Sequence, residues 1–249
     1  MKNGVLITMK TGLTARWVSL RRRNLHKKKK IFYWKTLIHS GTITGGSPLL
    51  LKKNLYVQEV QTESVDAYRQ GRIDLENRGY TFNAIVLDGR PGVRQIFFDV
   101  PIQMCHFHQK QIITRYLTNN PKLEAGIELK KITDALCQTN ERDFTDAINN
   151  WHQKWSSFLK ERTTDSLTGK WFYTHKRLRS AYRSFKINLP YLFTYQKYSE
   201  LNIPNTTNSL DGCFAYLKEL VRVHRGINKT FKRKIIHEIL TKRDPVFRH

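Results

Sequence analysis

FNAIVLDGRPGVRQIFFDVPIQMCHFH, residues Phe82–His108, is the stretch around which the rest of the chain is ordered. Ala84-Ile85-Val86-Leu87 is a short apolar run rich in β-branched residues, and Gly89-Arg90-Pro91-Gly92 closes it. A run of that length between turn signals reads as a buried strand. Asp88 falls just past its end, where open α/β sheets place their ligand sites. Asp88 is therefore a candidate metal-binding carboxylate, although Asp-Gly also serves as an ordinary turn. A second acid, Asp99, and the cluster Cys105-His106-Phe107-His108 follow.

With 249 residues, 39% hydrophobic and 12% aromatic, the chain is long and apolar enough for one sizeable core with an appended helical region. No apolar run approaches the ~18 residues of a membrane span. Met1–Lys10 lacks the apolar core of a secretory signal, so a soluble protein of the cytoplasm, associated with the nucleoid, is expected. Forty-four Lys and Arg against twenty Asp and Glu give a formal charge of +24. Such an excess attracts polyanions by releasing their counterions, which makes nucleic acid the first partner to consider. Three widely spaced cysteines, Cys105, Cys137 and Cys213, argue against a disulfide framework.

Residues 1–58 carry thirteen Lys and Arg and no acid before Glu59. The run Lys27–Lys30 is either a DNA-contacting arm or a solvated tail. Val5-Leu6-Ile7 and Ile31-Phe32-Tyr33-Trp34 are candidate strands, and Thr42–Ser47 a loop. Ser64–Arg78 reads as a helix with Ser64 as N-cap and Gly79 as its stop. Pro101–Cys105 is a second strand, and Gln109–Leu117 begins a helix that ends before Pro121. Lys122–Cys137 and Asp143–Glu161 are amphipathic helices, and the second buries Trp151 and Trp155 in a single stripe. On Lys176–Lys186 the cations Lys176, Arg179, Arg183 and Lys186 form a row without acids, either a phosphate-contacting stripe or a solvated face. In Ile203–Arg225, a helix capped near Thr206–Asn208 places Asp211 in its first turn and Lys218 seven residues on. An acid there ordinarily serves the helix dipole. A further helix is expected near Lys232–Leu240.

Three motifs together, Val86–Gly92 (VLDGRPG), Pro101–Gln109 (PIQMCHFHQ) and Pro204–Lys218 (PNTTNSLDGCFAYLK), resemble the mutator-type (MULE-like) DDE transposases of bacterial insertion sequences. The resemblance runs from about Glu63 onward. It implies an α/β fold, an RNase H-like mixed sheet with a helical insertion domain between the second and third catalytic-acid positions. It also implies Mg²⁺ in a two-metal site for DNA strand cleavage and transfer, with DNA (element ends and target) as partner, a homo-oligomer as a possible assembly, and no membrane. By motif match Asp88 stands at the second catalytic and metal-binding carboxylate and Asp211 at the third, where many relatives carry Glu. Lys176, Arg179, Arg183, Lys186 and Lys218 become the DNA-binding cations. Cys105 and His108 match the family's CxxH motif; they are read as structural, with zinc the alternative, since no second Cys/His pair completes a four-ligand site. The implied organisation is 1–58 as a basic segment and remnant of the first strands, 59–117 as core, 118–200 as insertion, and 201–249 as the last core helix and basic tail.

One departure matters. The family's first acid belongs on the first core strand, yet the chain has no Asp before Asp66. If Val5-Leu6-Ile7 is that strand, Met9 or Lys10 occupies the place. A truncated or degenerate copy, inactive in cleavage, is the expectation. A non-catalytic basic nucleic-acid-binding protein is the alternative, and an RNase H-like nuclease unconnected to transposition a third reading.

Overall fold

The computed structural model describes residues 13–19, 30–39, 50–60, 64–90 and 92–206, with eight single positions between 219 and 238. It is a mixed α/β protein, mostly helical beside a small sheet. The strands are β1 (Leu13–Ser19), β2 (Lys30–His39), β3 (Leu50–Val60), β4 (Ala84–Leu87) and β5 (Ile102–Met104), in the sheet order β3-β2-β1-β4-β5. β2 is antiparallel to both β1 and β3, while β1 runs parallel to β4 with Ala15 opposite Ile85. β4 is buried along its whole length, as expected of a strand interior to a sheet.

The chain divides into two compact units. The first takes in β1–β3, α1 (Val65–Asn77), most of β4 and residues 92–101. Ser64 caps α1 by accepting the Ala67 N–H at 3.1 Å. At the other end Gly79 takes a φ of +83°, Tyr80 N–H bonds Leu75 C=O at 3.1 Å, and Gly79 N–H bonds Glu76 C=O at 2.9 Å. These two bonds form a Schellman closure, so the helix expected at Ser64–Arg78 starts and stops on the residues that signalled it. α1 buries Ala67, Tyr68, Gly71 and Leu75. Its Arg72 reaches the 3₁₀ turn Val93–Phe97 and Asp99 beyond it.

The second unit comprises Leu87–Gly89 and Ile102–Thr206. It is a helical body of α2 (His106–Leu117), α3 (Glu124–Ala135), α4 (Glu141–Lys160), α5 (Lys176–Leu192) and the short α6 (Thr194–Lys197). A hairpin, β6 (Arg162–Thr164) with β7 (Trp171–Tyr173), joins α4 to α5. Phe144, Ile148, Trp151 and Leu159 of α4 pack with Leu178, Ala181 and Phe185 of α5 in one buried cluster. Trp151 is core, its indole N–H bonded to Ala125 C=O at 2.9 Å, and Trp155 packs against the same cluster. Both tryptophans are thus structural, as their helical spacing indicated.

Two elements of the structure have no counterpart among the strands expected from the sequence. One of the two strands beside β4 is Leu13–Ser19, which carries no clear strand signal because Arg16 and two hydroxyl residues interrupt its apolar pattern. Val5-Leu6-Ile7 lies outside the described residues. The hairpin was also missed: its strands have three residues each, too few for a periodicity to register.

Candidate carboxylate site and basic surface

Asp88 directly follows β4 and is half-buried. Two backbone features fix its position. Leu87 C=O accepts the Cys105 N–H at 2.8 Å, which ties the end of β4 to the start of α2. Gly89 then turns the chain with a φ of +87°, a region where a side chain is strained. A Cβ at that position would sit 2.7 Å from Met104 Cε. The Asp-Gly pair thus makes the turn that ends the strand, and it presents a carboxylate at the strand's C-terminal edge.

Asp211 and Lys218 lie outside the described residues. Among the described residues no three His, Cys, Asp or Glu side chains gather as a metal-binding group. Asp99 is occupied elsewhere. Arg72 binds its two carboxylate oxygens at 2.6 and 2.5 Å and holds its carboxyl below the usual range.

The CxxH residues have different settings. Cys105 is fully buried, while His108 is half-buried with its ring edge-on to Phe107. The histidine between them is the more constrained one. His106 Nε2–H donates to Leu192 C=O at 2.7 Å, and burial pushes its pKa down. The rings of Phe193 and Tyr195 stand edge-on to it.

His106 belongs to a buried polar network that the sequence reading did not see. Gln103 Nε2 also donates to Leu192 C=O at 2.7 Å, and Gln103 Oε1 accepts the Tyr195 N–H at 2.9 Å. Asn188 donates to Gln109 Oε1 at 2.6 Å, and Thr194 Oγ1 donates to Ile102 C=O at 2.6 Å. The His106 and Gln103 bonds satisfy the Leu192 carbonyl at the end of α5, where a helix leaves its last carbonyls without internal partners. In PIQMCHFHQ the polar positions Gln103, His106 and Gln109 therefore fasten β5 and α2 to the end of α5.

The four cations of the α5 stripe also divide. Arg183 and Lys186 are exposed. Arg179 is half-buried: it donates to Leu159 C=O at 2.8 Å, and its guanidinium lies 3.6 Å from the centre of the Tyr173 ring. Lys176, at the start of α5, is exposed and lies 5.4 Å from the Phe172 ring centre. Lys176 also borders a cleft of about 480 Å³ with Arg115, Tyr116 and Arg177. Arg115 and Arg177 extend the basic surface beyond the predicted stripe. They escaped the sequence reading because they stand on different helices, or off the three-four spacing.

His152 of α4 registers the resulting field. Its ring stacks on Tyr182 at 4.2 Å, and its pKa is lowered by burial first, then by Lys186, Lys160 and Arg179. Cations from α4 and α5 act together at this one imidazole.

No known family model matches this chain, and no curated protein matches it. Among the described residues no helix is long and apolar enough to cross a membrane.

Proposed function

We propose that the chain is a mutator-type DDE transposase by descent, with an RNase H-like core whose carboxylate site is incomplete, and that its working property is DNA binding. The observation that carries the reading is the sheet: order β3-β2-β1-β4-β5, β1 to β3 antiparallel, β1 parallel to β4, and an acid directly after β4. That arrangement agrees with the fold the motif resemblance implies. The helical second unit takes the part of the insertion, and Asp211 is proposed as the third acid.

A pair of Mg²⁺ ions would supply the activation of a water or 3′-hydroxyl and the stabilisation of the leaving oxygen. The residues present do not fit a complete two-metal cage. β1 reads LTARWVS and offers no carboxylate at any register. Asp88 is the only member of the implied acid set among the described residues.

A second reading, a basic nucleic-acid-binding protein without catalytic ancestry, is favoured by the exposed cations of α5 and the cleft beside it. The distance between the Asp88 and Asp211 carboxylates in a crystal structure of the chain separates the two. Asp88 and Asp211 carboxylates within roughly 8 Å fit a site for two ions ~4 Å apart and support transposase descent. A larger separation leaves only the binding reading.

A further inference from the structure

The hairpin β6–β7 carries three aromatic residues in succession, Trp171, Phe172 and Tyr173, and none belongs to the buried core cluster of its unit. Trp171 is 53% exposed and Phe172 42%, and Leu167 in the turn is 95% exposed. Rings of this size are ordinarily buried, yet two of these three are exposed and Tyr173 is only half-buried. Strand alternation puts Trp171 and Tyr173 on one face and Phe172 on the other.

Each ring carries a cation. Arg162 lies 4.0 Å from the centre of the Trp171 ring, Arg179 lies 3.6 Å from that of Tyr173, and Lys176 lies 5.4 Å from that of Phe172. Trp171 and Tyr173 meet edge to face at 5.5 Å. A guanidinium lying on an aromatic ring keeps its N–H donors for an anion while its position is fixed. The nearby acids are engaged. Glu161 pairs with His175 at 2.9 Å, and Asp165 accepts the N–H groups of Leu167 and Thr168 within the turn. Lys170 adds a further exposed cation just before β7.

We infer that this hairpin is a stacking platform for unpaired nucleotides, with a base on the exposed part of the Trp171 indole and neighbouring phosphates on Arg162, Lys170 and Lys176. The inference rests on the nucleic-acid reading of the chain's charge and adds the part of the strand that is recognised. Aromatic rings interleaved with cations suit a single strand, whose bases offer free faces and whose backbone is anionic. A paired duplex offers no free base face unless it is first unstacked.

The test uses the whole chain and fluorescence anisotropy at one fixed salt concentration. The probes are a labelled DNA single strand of about a dozen nucleotides, the same strand made abasic throughout, and the matching duplex. The native protein is expected to bind the base-bearing strand roughly tenfold tighter than the abasic one. Trp171→Ala brings it down to the abasic level with the salt dependence unchanged, because no charge is removed. Trp171→Phe keeps most of the preference, which separates lost stacking from a damaged fold. Binding that persists with Trp171→Ala equal to native on the base-bearing strand overturns the platform and leaves nucleic-acid binding standing. No binding to any of the three probes overturns both. Anionic phospholipid vesicles form a last arm: Trp171-dependent binding to them, with no preference for bases, overturns the inference in favour of a membrane surface.

Discussion

Arg72 and Asp99 form a two-pronged ion pair, Nη1 to Oδ1 at 2.6 Å and Nη2 to Oδ2 at 2.5 Å, across 27 positions of sequence. The same guanidinium bonds the Ile96 carbonyl and Glu76, and lies over the Phe82 and Phe97 rings. One side chain thereby joins α1 to the turn that follows β4. The Asp99 side chain is 42% exposed and that of Arg72 only 16%, so the two ends of the pair differ in what their loss exposes.

Asp99→Asn is expected to cost about 1 kcal/mol, the upper end for a partly exposed pair with two-pronged geometry. Arg72→Ala should cost more, about 2–3 kcal/mol, because it also strips a carbonyl and two rings of their partner. The Asp99 carboxyl lies below its usual range in the fold, chiefly through the Arg72 hydrogen bonds. Its contribution is therefore complete above the unfolded value of about 3.9 and is lost as pH falls through the folded one. Urea unfolding at neutral pH and near pH 3 checks this: the gap between native and Asp99→Asn should narrow in acid.

His106 gives a second pH dependence at a higher range. Burial lowers its pKa below 6.5, and its Nδ1 has no hydrogen-bond partner among the described residues. The fold thus holds the neutral ring. Its stability contribution is full above about pH 6.5 and declines as pH falls toward the folded value. Thermal melts between pH 7.5 and 5 should show native protein losing stability while His106→Gln, lower throughout, loses less.

Gly89→Ala is expected to destabilise by about 1–3 kcal/mol, mainly through the positive φ, since the facing Met104 side chain can move its end aside. Gly79→Ala shares the positive φ but meets no neighbouring atom within 4 Å, so it isolates the backbone strain. Comparing the two variants by denaturant melts separates strain from crowding; equal costs mean that Met104 yields freely.

The exposed pair Arg183 and Lys186 is expected to contribute to polyanion binding. Replacing both with Gln should weaken binding to duplex DNA and reduce the slope of log K against log salt by about 1.8. His152 provides an internal reporter. Lys186, Lys160 and Arg179 help hold its pKa down, so bound phosphate should raise it, read as a shift of its imidazole NMR titration between free and DNA-bound protein. An unchanged titration with DNA bound would place the strand elsewhere.

The legible parts of this fold were those whose signal is local. Ser64 and Gly79 announce the two ends of α1 because a cap and a left-handed turn each need a particular residue type. The α4 stripe was readable because twenty residues show a helical period clearly. β1 was not, since Leu13–Ser19 mixes Thr, Arg and Trp, and its place beside β4 is set by pairing across about seventy positions. The network of Gln103, His106, Gln109, Asn188 and Thr194 joins residues up to 92 apart, so no spacing rule could gather it. Arg179 shows the limit of counting charges. It sits in a regular cationic row, yet its guanidinium is held by Leu159 and Tyr173 while Arg183 and Lys186 face solvent.

The proposed descent leaves a DDE site without its first acid. It is tested most directly by incubating the purified chain with end-labelled duplex DNA and Mg²⁺ or Mn²⁺ and resolving the products on a denaturing gel. Binding without strand cleavage is expected under either metal, for native protein and Asp88→Ala alike. Metal-dependent cleavage by the native chain that Asp88→Ala abolishes contradicts it, because a working site would then exist without a carboxylate from β1.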